Sequence, residues 1–394
     1  MQDARRAAER SQDRRIVSIE EPRQVLVSAR DAETWVRRLQ EEQRRAGGDM
    51  KFAVVVVPGW LKSDAPKVYY DLKQALGPFA GRAGVASQMV LTSTLSQDAA
   101  RMQIARNICQ QILVKCGAWL WTFSPLPYMR RKVMVVGVDA RSASVDNGQS
   151  VQVLCASTNC FFTSYFTTWR AKESVRRGLD FTSPPLELLL EALGHFMRMH
   201  GRPPDSLVLY RSGVSDSQEA ALFESEVQEL IDGALQRALL ATEACATSGV
   251  DLSDWARTFE IAYILVRRNT RARFRTEDFQ NVPSGTVVDE GVVAPRMPGS
   301  GHHDFFLVSQ SCKQGTARPA LYSVLYSSLS MSKEELVDLS YMLCGMYMTF
   351  TGRVSVPAPL RYATKLLSQI CGMKDVPSRP AASASSLQHK LFFV

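Results

Sequence analysis

"SLVLYRSGVSDSQ", Ser206 to Gln218, is an apolar run that stops abruptly at small and polar residues. It reads as a buried strand that delivers its last residues to an open edge, because strands covered on both faces lose the polar alternation of half-exposed ones. The carboxyl ends of such strands are where open α/β sheets place their chemistry. The identity of the side chains from Arg211 to Asp216 therefore bears on function as well as on fold, and the position straight after the strand is Ser212, not a carboxylate.

Working outward, "KVMVVGVDARSAS" is a second apolar strand, ending in Asp139, and "SVQVLCAST" and "CFFTSYFTTWR" are adjacent alternating runs that predict antiparallel strands. The helix "PPLELLLEALGHFMRMHG" precedes the opening strand, the helix "SQEAALFESEVQELIDGALQRALL" comes after it, and "FEIAYILVRR" is the next strand. Beyond an Arg-rich loop come the strands "DFFLVSQ" and "YSVLYSS", and then helices in "SKEELVDLSYMLCGMYMTF" and "PAPLRYATKLLSQI". The pattern predicts a mixed sheet covered on both faces. "PSRPAASASS" reads as a flexible linker, and the closing "LQHKLFFV" as an apolar terminus that re-enters the fold.

Upstream, residues 49–128 form a separate α/β unit. "KFAVVVVPGW" is a parallel-type strand, "DAPKVYYDLKQALG" a helix capped by Asp64 and stopped by Gly77, "ASQMVLTST" a second strand, and "SQDAARMQIARNICQQILVKCGA" a long helix capped by Ser96. Residues 1–48 are a charged lead-in, dense in Arg and Glu, whose Val27, Trp35 and Leu39 dock on this α/β unit.

The chain has 394 residues, 45% hydrophobic and 22% charged, which is ordinary for a globular protein of two domains or three and excludes wholesale disorder. A net charge of +8 favours a polyanionic partner without naming one. The eight cysteines show no Cys-x-x-Cys pair and no zinc-type spacing, so they read as reduced thiols. No apolar run is long enough to span a bilayer, and the first residues lack a signal-peptide core, which points to an intracellular, cytoplasmic protein with no membrane partner.

The strings "VMVVGVDARS", "LVLYRSGVSDSQ", "PSGTVVDEGVV", "DFFLVSQSCKQGTARPALYSVLY", "LSYMLCGMY" and "RVSVPAP" occur in one order from residue 133 to residue 359. Together they resemble the Argonaute family, nearer its Piwi clade. The resemblance implies a Rossmann-like MID domain (49–128) that binds the 5′-phosphate of a guide, joined to an RNase H-like PIWI domain (129–394) with a mixed sheet. The amino-terminal and PAZ domains usual in eukaryotic members are absent from these residues, which makes the chain either a short member or a piece of a longer protein.

Members of the family hold the guide 5′-phosphate with a Tyr, two Lys and a Gln, and the matching positions here are Tyr69, Lys73, Lys115 and Gln88. Two ammonium groups neutralise a phosphate dianion while an aromatic ring stacks under a base. In some relatives the terminal carboxylate, here that of Val394, reaches the same pocket, at times through a metal ion. Without the resemblance, Lys73 and Lys115 read as solvated helix lysines, Tyr69 as packing and Gln88 as a strand-end amide.

Cutting members hold two Mg²⁺ ions with carboxylates and usually a His. The resemblance aligns Asp139 with the first Asp and metal ligand, puts Ser212 where a second Asp belongs and Thr364 where the His belongs, and lands on Asp180, with Glu187 nearby, for the mobile acid. A hydroxyl cannot replace a bridging carboxylate between two dications. Asp216, His302, His303 and Lys365 are conceivable substitutes that no spacing requires to converge, and without "GxSxG" a Ser212 hydrolase is disfavoured.

The Arg-rich loop supplies Arg268, Arg271 and Arg273 for the guide-target channel, with Lys313, Gln314, Arg318 and Arg353 further along. The expected function is thus anchoring a small guide RNA by its 5′-phosphate and pairing it with a complementary target RNA, without slicing. Mg²⁺ is the one cofactor implied, and silencing effector proteins are the further partners. The alternatives are a divergent Mg²⁺-dependent endonuclease and an interaction scaffold that binds no RNA.

Overall fold

The computed structural model describes residues 25, 27, 32–46, 50–58, 65–79, 84–97, 100–124, 126, 132–141, 149–173, 185–212, 214, 216–240, 252–293, 303–312, 314–373, 378–380 and 385–394. Asp64, Asp180, His302 and Lys313 lie outside them, as does most of the lead-in.

In the amino-terminal unit, β1 (Phe52–Val57) pairs in parallel with β2 (Ala86–Leu91), Val54 opposite Gln88. Parallel neighbours need a crossover, and α2 (Ala65–Leu76) supplies it. Leu72 and Leu76 of α2 are buried with Val55 and Val57, and Trp35 of the lead-in helix α1 (Ala32–Arg45) closes that cluster. The last helix of the unit, α3 (Arg101–Lys115), starts later than the sequence implies. Thr92–Leu95 forms a single helical turn that Ser96 ends, so Ser96 is a stop and not the cap of α3, which begins after Ala100 with no side-chain cap.

The larger unit is an eight-stranded mixed sheet in the order β5-β4-β3-β6-β7-β10-β9-β8. Its strands are β3 (Val133–Arg141), β4 (Gln149–Ser157), β5 (Tyr165–Glu173), β6 (Ser206–Arg211), β7 (Glu260–Arg267), β8 (Thr286–Val288), β9 (His303–Val308) and β10 (Ala320–Ser327). β3, β6 and β7 are parallel, and all other pairings are antiparallel. This is the expected RNase H-like mixed sheet. β8 alone was hidden in the sequence, since "TVV" is too short to show alternation.

Alternation sends Met134, Val136 and Val138 of β3 to one core, with Leu189 and Leu193 of α4 (Leu186–His200), and Val133 and Val135 to the other. That second core holds α5 (Lys333–Cys344), α6 (Ala358–Cys371) and the chain terminus. α6 crosses β3 so closely that a Cβ on Gly137 would lie 2.2 Å from the Pro359 carbonyl carbon. The expected helix after β6 is broken into a 3-10 turn, short α segments and a π segment at Phe223–Val227, with Gly233 at φ +78 before Ala234–Leu240. Part of the expected linker is docked: Ser378 accepts a bond from the Ala171 N–H, and Arg379 pairs with Glu187. Leu391, Phe392, Phe393 and Val394 are buried as the apolar ending implies.

Candidate functional site

Asp139 ends the apolar part of β3, and parallel pairing of β3 with β6, Val138 opposite Arg211, brings Ser212 beside it. The Ser212 N–H donates to the Val138 carbonyl at 2.9 Å. Both oxygens of Asp139 are engaged: Oδ1 accepts from the Ala140 N–H at 2.9 Å, and Oδ2 from the Thr364 hydroxyl of α6 at 2.7 Å. The Leu360 carbonyl, 3.0 Å away, competes for the same hydroxyl proton, but the ionised acceptor is the stronger. Ser212 Oγ is buried and has no hydrogen-bond partner among the described residues.

Asp139, Ser212 and Thr364, the three positions the resemblance singled out, thus converge, and together they offer one carboxylate, already hydrogen-bonded on both oxygens. Among the described residues no group of three or more His, Cys, Asp or Glu side chains could hold a metal ion. Glu187 is tied to Arg170 at 3.0 Å and Arg379 at 2.8 Å, so it is engaged elsewhere. His303 begins β9, on the far side of the sheet from β3. Behind Ser212, the fully buried Arg211 pairs with Glu226 at 3.1 Å, and the Tyr263 hydroxyl donates to the same carboxylate at 2.5 Å.

In the amino-terminal unit, Lys73 lies in the last turn of α2, Lys115 ends α3 and Gln88 lies mid-strand in β2. Lys73 Nζ donates to the Ser87 carbonyl at 2.7 Å and the Ser87 hydroxyl at 3.0 Å. Lys115 Nζ donates to the same carbonyl at 3.0 Å and to Gln88 Oε1 at 2.7 Å. The two lysine amino groups therefore share one acceptor. They are only 3% and 2% exposed, so they are not the solvated helix lysines of the plainer reading.

Neither has a carboxylate partner among the described residues. Burial first, then the Lys365 charge, brings Lys73 down to about 8. Burial, then the charges of Lys73 and Lys365, bring Lys115 to about 6. The Tyr69 ring lies 5.8 Å from Lys73 Nζ, and burial, then Tyr70, push its phenol up to about 12, which keeps it a donor.

Two participants were not assigned to this cluster from the sequence. Gln111, one turn before Lys115 on α3, accepts from Gln88 Nε2 at 2.8 Å and fixes the amide so that its oxygen faces Lys115; the i, i+4 spacing was the available signal. Lys365 acts electrostatically on both lysines, although nearly three hundred positions separate it from Lys73. In the single turn after β2, Thr94 is half-buried and Ser96, which ends the turn, is exposed. Val394 is buried in one apolar cluster with Ala86 and Val114, the chain neighbours of Ser87 and Lys115, and its carboxylate makes no ion pair among the described residues.

The Arg-rich loop splits into pinned and free members. Arg267 is held by Glu219 and by Ser323 Oγ at 3.0 Å, Arg273 folds onto the Thr270 carbonyl at 2.9 Å, and Arg275 joins the Phe279 carbonyl at 2.7 Å to Thr316 Oγ1 at 2.9 Å. Arg268 and Arg271 have no ion-pair or hydrogen-bond partner among the described residues. Arg318 is exposed, and the Arg353 guanidinium stacks 4.2 Å from the Tyr341 ring centroid.

Comparison with known proteins gives this geometry its relatives. A profile of the Piwi domain matches residues 55–372. The chain is 31% identical over 377 residues to the Drosophila melanogaster protein piwi, which covers 95% of this chain and 40% of the relative. It superposes on the crystal structure of Drosophila Piwi with a TM-score of 0.76 at 28% identity, over 95% of this chain and 46% of that one. The crystal structure of Kluyveromyces polysporus Argonaute with a guide RNA gives 0.71 at 18% identity, over 87% of this chain and 39% of that one, a likeness of fold. The chain therefore spans less than half the length of these relatives.

Proposed function

The chain belongs to the Piwi branch of the Argonaute family, and on that footing we propose that it anchors the 5′-phosphate of a small guide RNA in its amino-terminal unit, as a MID domain, and pairs that guide with a target RNA without cutting it. The observation that carries the reading is the pair Lys73 and Lys115, buried on one carbonyl oxygen with no acidic partner among the described residues. Buried cations without counter-charge are costly, and the folded chain bears that cost where a dianion would relieve it. A 5′-phosphate would accept from both ammonium groups and from the Tyr69 phenol, while Arg268 and Arg271 would take backbone phosphates without regard to sequence. Base pairing then supplies the choice of target, and silencing effector proteins would supply the outcome.

Binding without cutting is supported by Asp139, whose two oxygens are occupied by Ala140 and Thr364, and by Ser212, which brings no charge. The residues that meet there do not fit a pair of Mg²⁺ ions, and no step is routed through them. At the phosphate pocket one Mg²⁺ would find the Val394 carboxylate as its protein ligand and would add a cation to the same task; the lysines suffice for the binding argued here. The test is equilibrium binding of one single-stranded RNA carrying a 5′-phosphate or a 5′-hydroxyl, in wild type and in Lys73→Ala/Lys115→Ala. A phosphate preference lost in the double variant supports the reading; equal affinities in wild type sink it. Mg²⁺-dependent cleavage opposite the guide centre, abolished in Asp139→Ala, would favour the endonuclease alternative.

A further inference from the structure

Three of the five histidines of the chain, His195, His200 and His389, gather at one place that neither candidate centre uses. His195 lies on the buried side of α4, and the ring of His389 stacks on it with centroids 4.2 Å apart and planes 18° from parallel. Phe166 of β5 packs beside both, 4.9 Å from His195 and 5.8 Å from His389. His195 Nε2 is buried and has no hydrogen-bond partner among the described residues, while His389 is exposed and forms the outer layer of the stack. His389 follows directly on a short terminal helix (Ser385–Gln388), whose Gln388 carbonyl accepts from the Thr167 hydroxyl of β5 at 3.4 Å. Beyond it Leu391 to Val394 are buried, and the Phe392 ring lies 5.9 Å from that of Phe79 in the amino-terminal unit. Residues 387–394 are thus a strap across the two units, held by the imidazole stack at one end and by apolar burial at the other.

We propose that His195 and His389 form an acid-sensitive latch: while both rings are neutral the terminal strap is seated across the two units, and protonation of the stack releases it. The groups that act on His195 are His389, Arg198 and His200, Arg198 acts on His389, and β5 brings the uncharged ring of Phe166. All are basic or neutral, so no carboxylate among the described residues balances a charge on the stack. Burial, then the charges of His389, Arg198 and His200, brings His195 down to about 4, and burial, then Arg198, lowers His389. Two imidazolium rings 4.2 Å apart repel each other and Arg198. A histidine held below its usual value near 6.5 favours the seated strap above that pH, and this support is lost as pH falls toward 4. Release draws Phe392 and Val394 out of the apolar cluster that contains Ala86 and Val114, the chain neighbours of Ser87 and Lys115. The latch acts whatever the neighbouring pocket binds.

The experiment is hydrogen exchange of the full chain from pH 7 to pH 5, read by mass spectrometry on the peptide that ends at Val394 and corrected for the intrinsic effect of pH. It compares wild type with His389→Phe and with His195→Phe/His389→Phe. One histidine that titrates near 6.5 in the released form and near 4 in the seated form costs the seated form about twentyfold between those limits. Protection of the wild-type strap should fall by about that factor while the α6 peptides keep theirs. The double variant keeps an aromatic stack that cannot be charged, and its profile should be flat. His389→Phe removes one of the two cations and should fall less steeply than wild type. A flat wild-type profile, a fall shared by α6, or a double variant that falls as wild type does overturns the latch. Where the double variant is unprotected at every pH, the single variant decides: a fall as steep as that of wild type overturns the proposal, and a shallower one upholds it.

Discussion

Raising the pH should weaken the preference for a 5′-phosphate, and the size of the effect is set by the lysine pair. With Lys73 brought to about 8 and Lys115 to about 6, the free pocket at pH 7 holds about one proton of the two it can carry. The two titrations belong to the pair as a unit, so the total proton count matters and not its assignment to either residue. A bound dianion favours the charged form of both, so binding takes up about one proton at pH 7. Uptake on binding means that affinity falls as pH rises. Between pH 6 and pH 8 the lysines alone cost about a hundredfold in the binding constant, and the second ionisation of the phosphate near pH 6 returns about twofold. The net loss expected for phosphorylated over hydroxyl-ended RNA is about fiftyfold. Fluorescence anisotropy at constant ionic strength reads both affinities, and calorimetry in buffers of different ionisation enthalpy counts the protons directly. In Lys115→Met only the step near pH 8 remains, so the fall between pH 6 and pH 7 should vanish. A wild-type preference that stays flat or rises over the range would refute the reasoning.

Three further outcomes test the frame around the site. Glu226→Gln leaves Arg211 charged and fully buried without its carboxylate, and should cost about 3–5 kcal/mol in chemical denaturation; a loss below 1 kcal/mol would mean that Arg211 finds water. Gly137→Ala places a methyl group against the backbone of α6 and should lower stability by about 1–3 kcal/mol, measured as a shift of the denaturation midpoint. Arg268→Ala/Arg271→Ala should weaken binding of all single strands alike and lower the salt slope by about 1.4, since each phosphate contact on a single strand contributes about 0.7. A slope unchanged by the double substitution would remove these residues from the channel.

Sequence patterning carried the architecture far because both faces of the sheet are buried. Continuous apolar runs such as "KVMVVGVDA" and "SLVLYR" mark its central parallel strands, and alternation marks β4 and β5. What escaped was decided by contacts between distant segments. The late start of α3 comes from a single turn, Thr92–Leu95, that periodicity joins to it. The broken helix after β6 has uninterrupted amphipathic spacing as far as Gly233, and its π segment aims Glu226 at Arg211, a partner outside the helix. At the site, the resemblance supplied Tyr69, Lys73, Lys115 and Gln88, but the burial of both lysines and the influence of Lys365 depend on how α2, α3 and α6 meet.

The two candidate centres differ in how their charges are balanced, and the proposal of binding without cutting rests on that difference. Asp139, the one carboxylate at its centre, accepts two hydrogen bonds: from a backbone N–H on one oxygen and from the Thr364 hydroxyl on the other. Such a group is satisfied as it stands, and a cation would have to displace the Thr364 contact while finding no second carboxylate at Ser212. Lys73 and Lys115 are in the opposite condition. They share an acceptor that neutralises neither, burial and the Lys365 charge suppress the ionisation of both, and Lys73 further suppresses that of Lys115. A protein free to relax would pair or expose them, since a buried like-charge cluster stabilises nothing by itself. On the proposed reading, the lysine pair, whose charges are not balanced within the protein, is where a polyanion lowers the free energy most.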